Sequence, residues 1–232
     1  MPEDESYYTH ARPEVLRLVP EGARHVLDVG CGAGALGASI KRAFPQAQVR
    51  GVELVSSAAE QARGRLDAVS NADATAPLPV DWPAPDVLVF ADVLEHLVDP
   101  WQALQSWRQR AAPGCHLVVS LPNVSHASVV SGLQKGQFRY ADEGLLDRTH
   151  LRFFTRESAI ELVEAAGFHI ERFERVISIP GPGIKRTLLK GLVQAQYRRE
   201  QRDQSWRSAP HGLLDTVTFQ FLVQARAESG GR

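Results

Sequence analysis

The sequence predicts an α/β protein with a doubly wound, mostly parallel sheet whose two faces are covered by helices. Short apolar runs alternate with helical segments along the chain, which is the pattern of repeated strand–helix units. The first run ends in a glycine-rich turn, and several runs end in an acidic residue. Because ligands bind at the carboxyl ends of parallel strands, we expect these residues to surround one crevice.

The expected elements follow one another regularly. Strands are predicted over residues 25–29, 48–53, 67–71, 86–91, 116–120, 168–179 and 216–225. Helices are predicted from residue 12 or 13 to 18, and over 35–44, 56–66, 100–111 and 157–166, the last one ending at Gly167. A long irregular loop is expected over residues 122–151.

Composition favours one domain over residues 1–232, because this length is ordinary for a single α/β domain with additions. The formal net charge of −1 gives no indication of a nucleic-acid partner. Two cysteines, Cys31 and Cys115, lie in or beside apolar runs, which favours reduced thiols and a cytoplasmic location. The sequence contains no paired Cys or His spacing typical of a zinc site. It also contains no apolar run long enough to span a membrane and no apolar core of a signal peptide.

The glycine turn has the sequence Gly30-Cys31-Gly32-Ala33-Gly34-Ala35. It fits the dinucleotide-binding pattern in this register and in the register of residues 32–37, but that pattern alone is weak evidence. Asp28 lies two residues before the turn, where a carboxylate suits a ligand with a cationic end, such as an ammonium or a sulfonium. The alternative is that Asp28 braces the turn through backbone N–H groups.

Further acidic residues stand at the ends of the next strands. Glu53, followed by Leu54, suits a ribose diol, whether the ligand is NAD or S-adenosylmethionine. Asp73 suits an adenine amino group, and the backbone N–H of a following residue such as Ala74 could donate to the ring. Asp92 follows the fourth strand.

Together these segments resemble class I S-adenosylmethionine-dependent methyltransferases, in the family's order and spacing, over about residues 7–173. The resemblance is carried by residues 27–34, 51–53, 72–74, 93–100 and the 113–123 segment. It implies a Rossmann-like sheet with an antiparallel last strand and S-adenosylmethionine as cofactor. The cofactor-binding residues are then expected to be Tyr8, Arg12, Asp28, Gly30, Cys31, Gly32, Gly34, Glu53, Leu54, Asp73, Ala74 and Asp92.

The segment before the first helix contains Tyr8 and Arg12. In similar sequences a tyrosine and an arginine here fold over the cofactor. Arg12 would then hold the methionine carboxylate through its planar guanidinium, and Tyr8 would close the site. The alternative is an unstructured terminus with a solvated Arg12.

His150 is the first candidate for a general base, because a hydroxyl acceptor must lose its proton as it attacks. Its segment, residues 147–154, resembles both ubiquinone-type O-methyltransferases and small methyltransferases of cell-surface glycan synthesis. Residues 122–124 and 136–138 resemble the second group. Asp147 would fix the His150 tautomer, and His96 is the second candidate. Alternatively, His150 is structural and pairs with Asp147 or the loop backbone.

Asp92, Glu95 and His96 are spaced at i, i+3 and i+4, which would place them on one face of a helical turn. Some methyltransferases with a similar series bind a divalent cation there. We predict instead that no metal is needed. In that interpretation Asp92 lies near the cofactor methionine, Glu95 braces the loop, and His96 lines the acceptor site.

A basic helical insertion is expected at about residues 184–203. It carries Lys185, Arg186, Lys190, Arg198, Arg199 and Arg202. It is either a solvated helix face or a lid or docking helix for an anionic substrate, partner or membrane surface. Trp206 could anchor either arrangement.

The function predicted from these features is O-methylation of a small acceptor, a sugar or glycan hydroxyl. The first alternative is a quinone, phenol or other small natural product as acceptor. The second is a non-catalytic subunit that binds the cofactor in a regulatory or scaffold role. The oligomeric state is not indicated by the sequence.

Overall fold

The computed structural model describes residues 11–77, 79–179 and 184–228, and within 184–203 it describes side chains from residue 189 onward. Seven strands form one sheet in the order β3-β2-β1-β4-β5-β7-β6. They are β1 (His25–Val29), β2 (Gln48–Glu53), β3 (Ala68–Asn71), β4 (Val87–Ala91), β5 (His116–Pro122), β6 (Phe168–Ile177) and β7 (Thr218–Ala227).

The described helices alternate with these strands along most of the chain. They are α1 (Pro13–Leu16), α2 (Ala35–Ala43), α3 (Ser56–Arg63), α4 (Pro100–Arg110), α5 (Ala127–Gln134), α6 (Arg156–Ala165), α7 (Ile184–Asp203) and α8 (Leu213–Val217). Short 3₁₀ turns lie at Leu94–His96 and Ser205–Arg207. None of the helices in the described ranges combines the length and apolar character that a bilayer crossing requires.

The sheet confirms the expected doubly wound fold. β1 pairs in parallel with both β2 and β4, so the strand order reverses between β1 and β4. β7 is antiparallel to β5 and to β6, as expected for the last strand. A reversal of strand order opens a crevice beyond the carboxyl ends of the strands, and this places the candidate site after β1 and β4.

Two hydrophobic clusters cover the two faces of the sheet. On β4, Leu88 and Phe90 belong to one cluster, while Val87 and Val89 belong to the other. Successive side chains of a strand point to opposite faces. Both sets are therefore buried, which explains why β4 reads as a continuous apolar run.

The prediction of an irregular loop over residues 122–151 is wrong in part, because α5 lies within those residues. Its helical signal is weak: it contains two valines and Gly132, and its N-cap is His126 rather than a typical capping residue. β7 begins two residues later than expected because α8 occupies Leu213–Val217.

The basic helix α7 spans the residues expected for the insertion, and a buried ion cluster fixes its C-terminal half. Arg175 of β6 donates to both carboxylate oxygens of Glu200 at 2.7 Å and to Asp215 at 2.9 Å. The opposite face of α7 exposes Arg198, Arg199 and Arg202. The side chains of Lys185 and Arg186 lie outside the described residues.

Candidate active site

The glycine turn connects β1 to α2 at the carboxyl edge of the sheet. Gly30 has a φ of +72°, and a Cβ built on it would lie 2.4 Å from a methyl carbon of Val93. Only glycine fits both this backbone conformation and this close approach. The contact packs the turn after β1 against the segment that follows β4, so those two segments form adjacent walls of the crevice.

Glu53 at the end of β2 braces the glycine turn. Its carboxylate accepts hydrogen bonds from the backbone N–H of Gly32 and of Val55, both at 2.8 Å. Each carboxylate oxygen has a second lone pair, so Glu53 can accept further hydrogen bonds from a ligand diol. The structure therefore gives Glu53 the bracing role that the sequence offered as an alternative for Asp28.

Asp28 lies beneath the turn and is 1% exposed. Burial, together with the nearby charge of Glu53, raises the pKa of Asp28 to about 7. Its Oδ2 atom has no hydrogen-bond partner among the residues that the structure describes. The bracing alternative for Asp28 thus finds no support at Oδ2, and its contact with the cofactor stays a prediction.

Asn71 fixes the segment after β2, a role that the sequence did not indicate. Its side-chain amide donates to the carbonyl oxygens of Glu53 and Leu54 at 2.8 and 3.0 Å. Leu54 is 62% exposed next to this contact. An exposed leucine at the carboxyl edge of the sheet is suited to contact a flat ligand ring.

The turn after β3 is held from two sides. Asp73 accepts hydrogen bonds from the N–H and hydroxyl of Thr75 at 2.8 and 2.5 Å. The indole N–H of Trp107, from α4, donates to the carbonyl oxygen of Ala74 at 2.7 Å. Asp73 and Ala74 therefore have fixed positions at the crevice edge, and Trp107 is a support that the sequence did not indicate.

Asp92 follows β4 in a left-handed conformation, with φ of +58°. Its carboxylate pairs with Arg12 and with the side-chain amide of Gln220, and it accepts from the Ser120 hydroxyl at 2.9 Å. Ser120 and Gln220 were not among the site residues expected from the sequence. The available signal for Ser120 was a hydroxyl within an apolar run, whereas Gln220 shares β7 with the polar Gln224 and Arg226 and gave no such signal.

Arg12 connects the N-terminal segment to this network. Besides Asp92, its guanidinium contacts Glu14 at 2.5 Å and Gln220 at 2.9 Å. The alternative of a solvated Arg12 is therefore wrong, since the Arg12 side chain is only 18% exposed. Tyr8, expected beside it, lies outside the described residues.

Glu95 lies in the 3₁₀ turn after β4, and it is 1% exposed. Its carbonyl oxygen accepts hydrogen bonds from the N–H groups of Leu151 and Arg152 at 2.8 and 3.0 Å. Burial raises the pKa of the Glu95 carboxyl group to about 8. The two backbone bonds hold the loop that carries His150 against the end of β4.

His96 and His150 lie together in the crevice, with ring centroids 4.8 Å apart. Desolvation by burial lowers the pKa of both imidazoles, and for His150 the neighbouring His96 lowers it further. The Nδ1 atom of His96 contacts the carbonyl oxygen of Thr149, and that of His150 contacts the carbonyl oxygen of Leu145. Because a carbonyl only accepts, each Nδ1 carries the proton, and Nε2 is the basic nitrogen.

The expected role of Asp147 as a direct partner of the His150 ring is wrong. Its carboxylate instead accepts hydrogen bonds from the N–H and hydroxyl of Thr149, at 2.7 and 2.6 Å. The carbonyl oxygen of Leu145 sets the tautomer of His150. Asp147 shapes the turn that carries both Thr149 and His150.

One group of side chains here has donor atoms suited to a cation. Donor atoms of Glu95, His96 and His150 lie within 4.8 Å of one another. This set differs from the series weighed in the sequence, because Asp92 is paired with Arg12. One carboxylate and two imidazoles suit a transition metal better than magnesium.

His126 is structural. Its Nδ1 accepts from the backbone of Ser128 at the start of α5, and its Nε2 contacts the carbonyl oxygen of Ser178 at 2.9 Å. Both ring nitrogens are therefore used by the fold, which leaves His96 and His150 as the histidines of the crevice.

Comparisons with known proteins identify sequence relatives of this chain. A family model described as a methyltransferase domain matches residues 4–172. A trans-aconitate 2-methyltransferase of Methylobacterium radiotolerans is 36% identical over 50% of this chain and 45% of its own length. A ubiquinone biosynthesis O-methyltransferase of Xylella fastidiosa is 29% identical over 67% of this chain and 68% of its own length. The chain thus spans about half the length of the first relative and two thirds of the second.

Solved structures show the same fold at low identity. An S-adenosylmethionine-dependent methyltransferase from Mesorhizobium loti aligns with a TM-score of 0.58 and 21% identity, over 94% of this chain and 98% of its own. Another, from Archaeoglobus fulgidus, aligns with a TM-score of 0.58 and 18% identity, over 96% and 97%. The family match shows that the chain belongs to the methyltransferase domain family, and these likenesses show that it has the fold of S-adenosylmethionine-dependent methyltransferases.

Proposed function

We propose that the chain transfers a methyl group from S-adenosylmethionine to a hydroxyl of a sugar or glycan unit. The observation that carries the proposal is the pair of neighbouring imidazoles beyond β4, half-buried His96 and buried His150. Both have a lowered pKa and are therefore neutral at pH 7, with Nε2 as the basic nitrogen. A neutral imidazole beside the crevice can take the proton that a hydroxyl loses as it attacks.

The glycine turn and its supports fit the cofactor. Residues 30–34 offer bare backbone at the reversal of strand order, and Glu53 keeps lone pairs for the ribose diol. Leu54, Asp73 and Ala74 would lie against the adenine. The cofactor supplies an electrophilic methyl group on a sulfonium, and the protein positions it against the acceptor oxygen.

The ion pair of Arg12 and Asp92 fits the amino-acid end of the cofactor. That end carries one ammonium and one carboxylate, so each member of the pair would exchange its partner for the opposite charge on the ligand. Asp92 would then hold the ammonium, and Arg12 would hold the carboxylate. Asp28, buried below the turn with an Oδ2 atom that has no partner among the described residues, stays a predicted cofactor contact.

A quinone or phenol acceptor is the second candidate. The Xylella fastidiosa relative named as a ubiquinone biosynthesis O-methyltransferase favours it, since that match covers 67% of this chain. Both candidates need a base for a ring hydroxyl, so the same two histidines serve either acceptor.

The test is release of S-adenosylhomocysteine by the full chain with a panel of methyl glycosides, nucleotide sugars, catechols and trans-aconitate. Turnover with a carbohydrate supports the first proposal, and turnover restricted to catechols replaces it with the second. Turnover restricted to trans-aconitate would contradict both.

A further inference from the structure

We propose that Phe138 and Tyr140 select the acceptor by forming a platform for the ring that carries the reacting hydroxyl. This inference rests on the proposed transfer to a ring hydroxyl and adds the residues that would recognise the ring. The platform belongs to a continuous series of five rings, which we call the ring series: Tyr140, Phe138, Phe153, His150 and His96.

The ring series is defined by four edge-to-face contacts. Centroid distances are 5.4 Å from Tyr140 to Phe138, 5.6 Å from Phe138 to Phe153, and 6.3 Å from Phe153 to His150. The last contact joins His150 to His96 at 4.8 Å. The series thus connects the outer surface directly to the two candidate bases.

Exposure falls from Tyr140 at the outer end of the series to His150. Tyr140 is 54% exposed and Phe138 is 38% exposed, whereas His150 is only 9% exposed. Neighbouring aromatic rings that remain in water leave apolar surface available for a ligand. Because the series leads from these exposed rings to His150 and His96, a ring acceptor bound on the outer rings would lie beside the candidate bases.

The outer rings are held by local backbone bonds rather than by the protein core. The N–H of Ala141 donates to Leu146 at 2.9 Å, and the N–H of Arg148 donates to Ala141 at 3.0 Å. A further bond joins Gln137 to Gly132 at 2.9 Å. These bonds fix the segment, so the two rings present a formed surface before an acceptor arrives.

The chemistry of the platform favours a hydroxylated ring. Aromatic faces bind the C–H face of a sugar or the π face of a phenol, and they leave ring hydroxyls directed to the side. An acyclic polycarboxylate offers no such face. The nearby guanidinium of Arg148 is paired with Asp142 at 2.8 Å, which reduces its attraction for an anion.

Saturation-transfer NMR on the full chain with S-adenosylhomocysteine tests the platform directly. The probes are methyl β-glucopyranoside, catechol and trans-aconitate. We expect ring-proton signals from the glucoside, the catechol or both, and we expect them to be lost in Phe138→Ala and Tyr140→Ala but retained in Phe138→Trp. Leu133→Ala is the matched control, because Leu133 is 51% exposed on α5 and lies outside the ring series.

A kinetic measurement complements the binding test. With the best ring acceptor, Phe138→Ala should raise KM at least about tenfold with little change in kcat or in S-adenosylhomocysteine affinity. An unchanged KM, or an equal loss in Leu133→Ala, would overturn the platform while leaving the methyl transfer intact. Wild-type protein that gives no ring-probe signal would overturn it as well. Absence of turnover with every hydroxyl acceptor, despite ring-probe binding, would instead contradict the proposed function.

Discussion

The ring planes of His96 and His150 meet at 72°, with centroids 4.8 Å apart, although the two residues come from different loops. His96 belongs to the 3₁₀ turn after β4, and His150 belongs to the segment before α6. Backbone bonds from Leu151 and Arg152 to Glu95 hold the two loops together. The pair is therefore built into the fold, and its chemistry can be tested one ring at a time.

His150→Ala should lower kcat by about 10²–10⁴-fold if His150 is the general base. Affinity for S-adenosylmethionine should change little, because the base serves the acceptor. Steady-state kinetics and calorimetry measure the two effects. His169→Ala is the control, since His169 is exposed on β6. A near-normal kcat would remove His150 from this role and make His96 the next residue to test.

The acid limb of kcat/KM should have its midpoint below the ordinary histidine pKa of about 6.5. Burial lowers the pKa of His96 and His150, so the base stays neutral to a lower pH than an exposed histidine would. The two imidazoles alone would make stability fall as pH decreases below that value, because the unfolded chain protonates them more readily. Buried Asp28 and Glu95, with pKa values raised to about 7 and about 8, contribute to stability in the opposite direction over the same pH range. A pH–rate profile and denaturation at several pH values measure both effects, and a midpoint above 6.5 would contradict this account.

Glu53→Ala should weaken S-adenosylhomocysteine binding by about 1–3 kcal/mol. It removes the carboxylate that braces Gly32 and Val55 and that would hold the ribose diol. Calorimetry with S-adenosylhomocysteine and with NAD measures the effect, and Glu60→Ala on the exposed side of α3 is the control. Tight binding of NAD, with no response to S-adenosylhomocysteine, would contradict the assignment of the crevice.

Turnover should survive dialysis against EDTA, because the sequence predicts acid–base chemistry without a metal. Activity before and after dialysis, together with the metal content of the purified protein, measures this. A loss of turnover that manganese or zinc restores would show the prediction to be wrong. Loss of the bound metal in Glu95→Gln would then assign the cation to the group formed by Glu95, His96 and His150.

Glu200→Ala should destabilise the fold by about 3 kcal/mol, because it leaves the buried Arg175 guanidinium with only part of its counter-charge. Chemical denaturation measures the change. Asp203→Ala is a matched control on the same helix, since the ion pairs of Asp203 are largely exposed. Equal stability of the two variants would show that the ion cluster does not anchor α7.

The parts of the site that could be predicted from the sequence are those encoded by adjacent residues. The glycines after β1 and the acidic residue after β2 are read directly from short segments, because turn geometry is local. Ser120 and Gln220 could not be found this way, because their relation to Asp92 depends on pairing between β5 and β7. The main interpretation assigned the His150 ring to Asp147, whereas the contact is to the loop backbone that the alternative named. The sequence could not say which carbonyl, because a backbone carbonyl carries no residue-type signal.

The antiparallel last strand also has a consequence for how the chain folds. Arg12 and Gln220 are 208 positions apart, and both contact Asp92. Closing so long a loop is slow and entropically costly, and it must await the pairing of β7 with β5. During synthesis on the ribosome, the glycine turn can therefore form early, whereas the polar network around Asp92 is completed only after residue 220 has emerged.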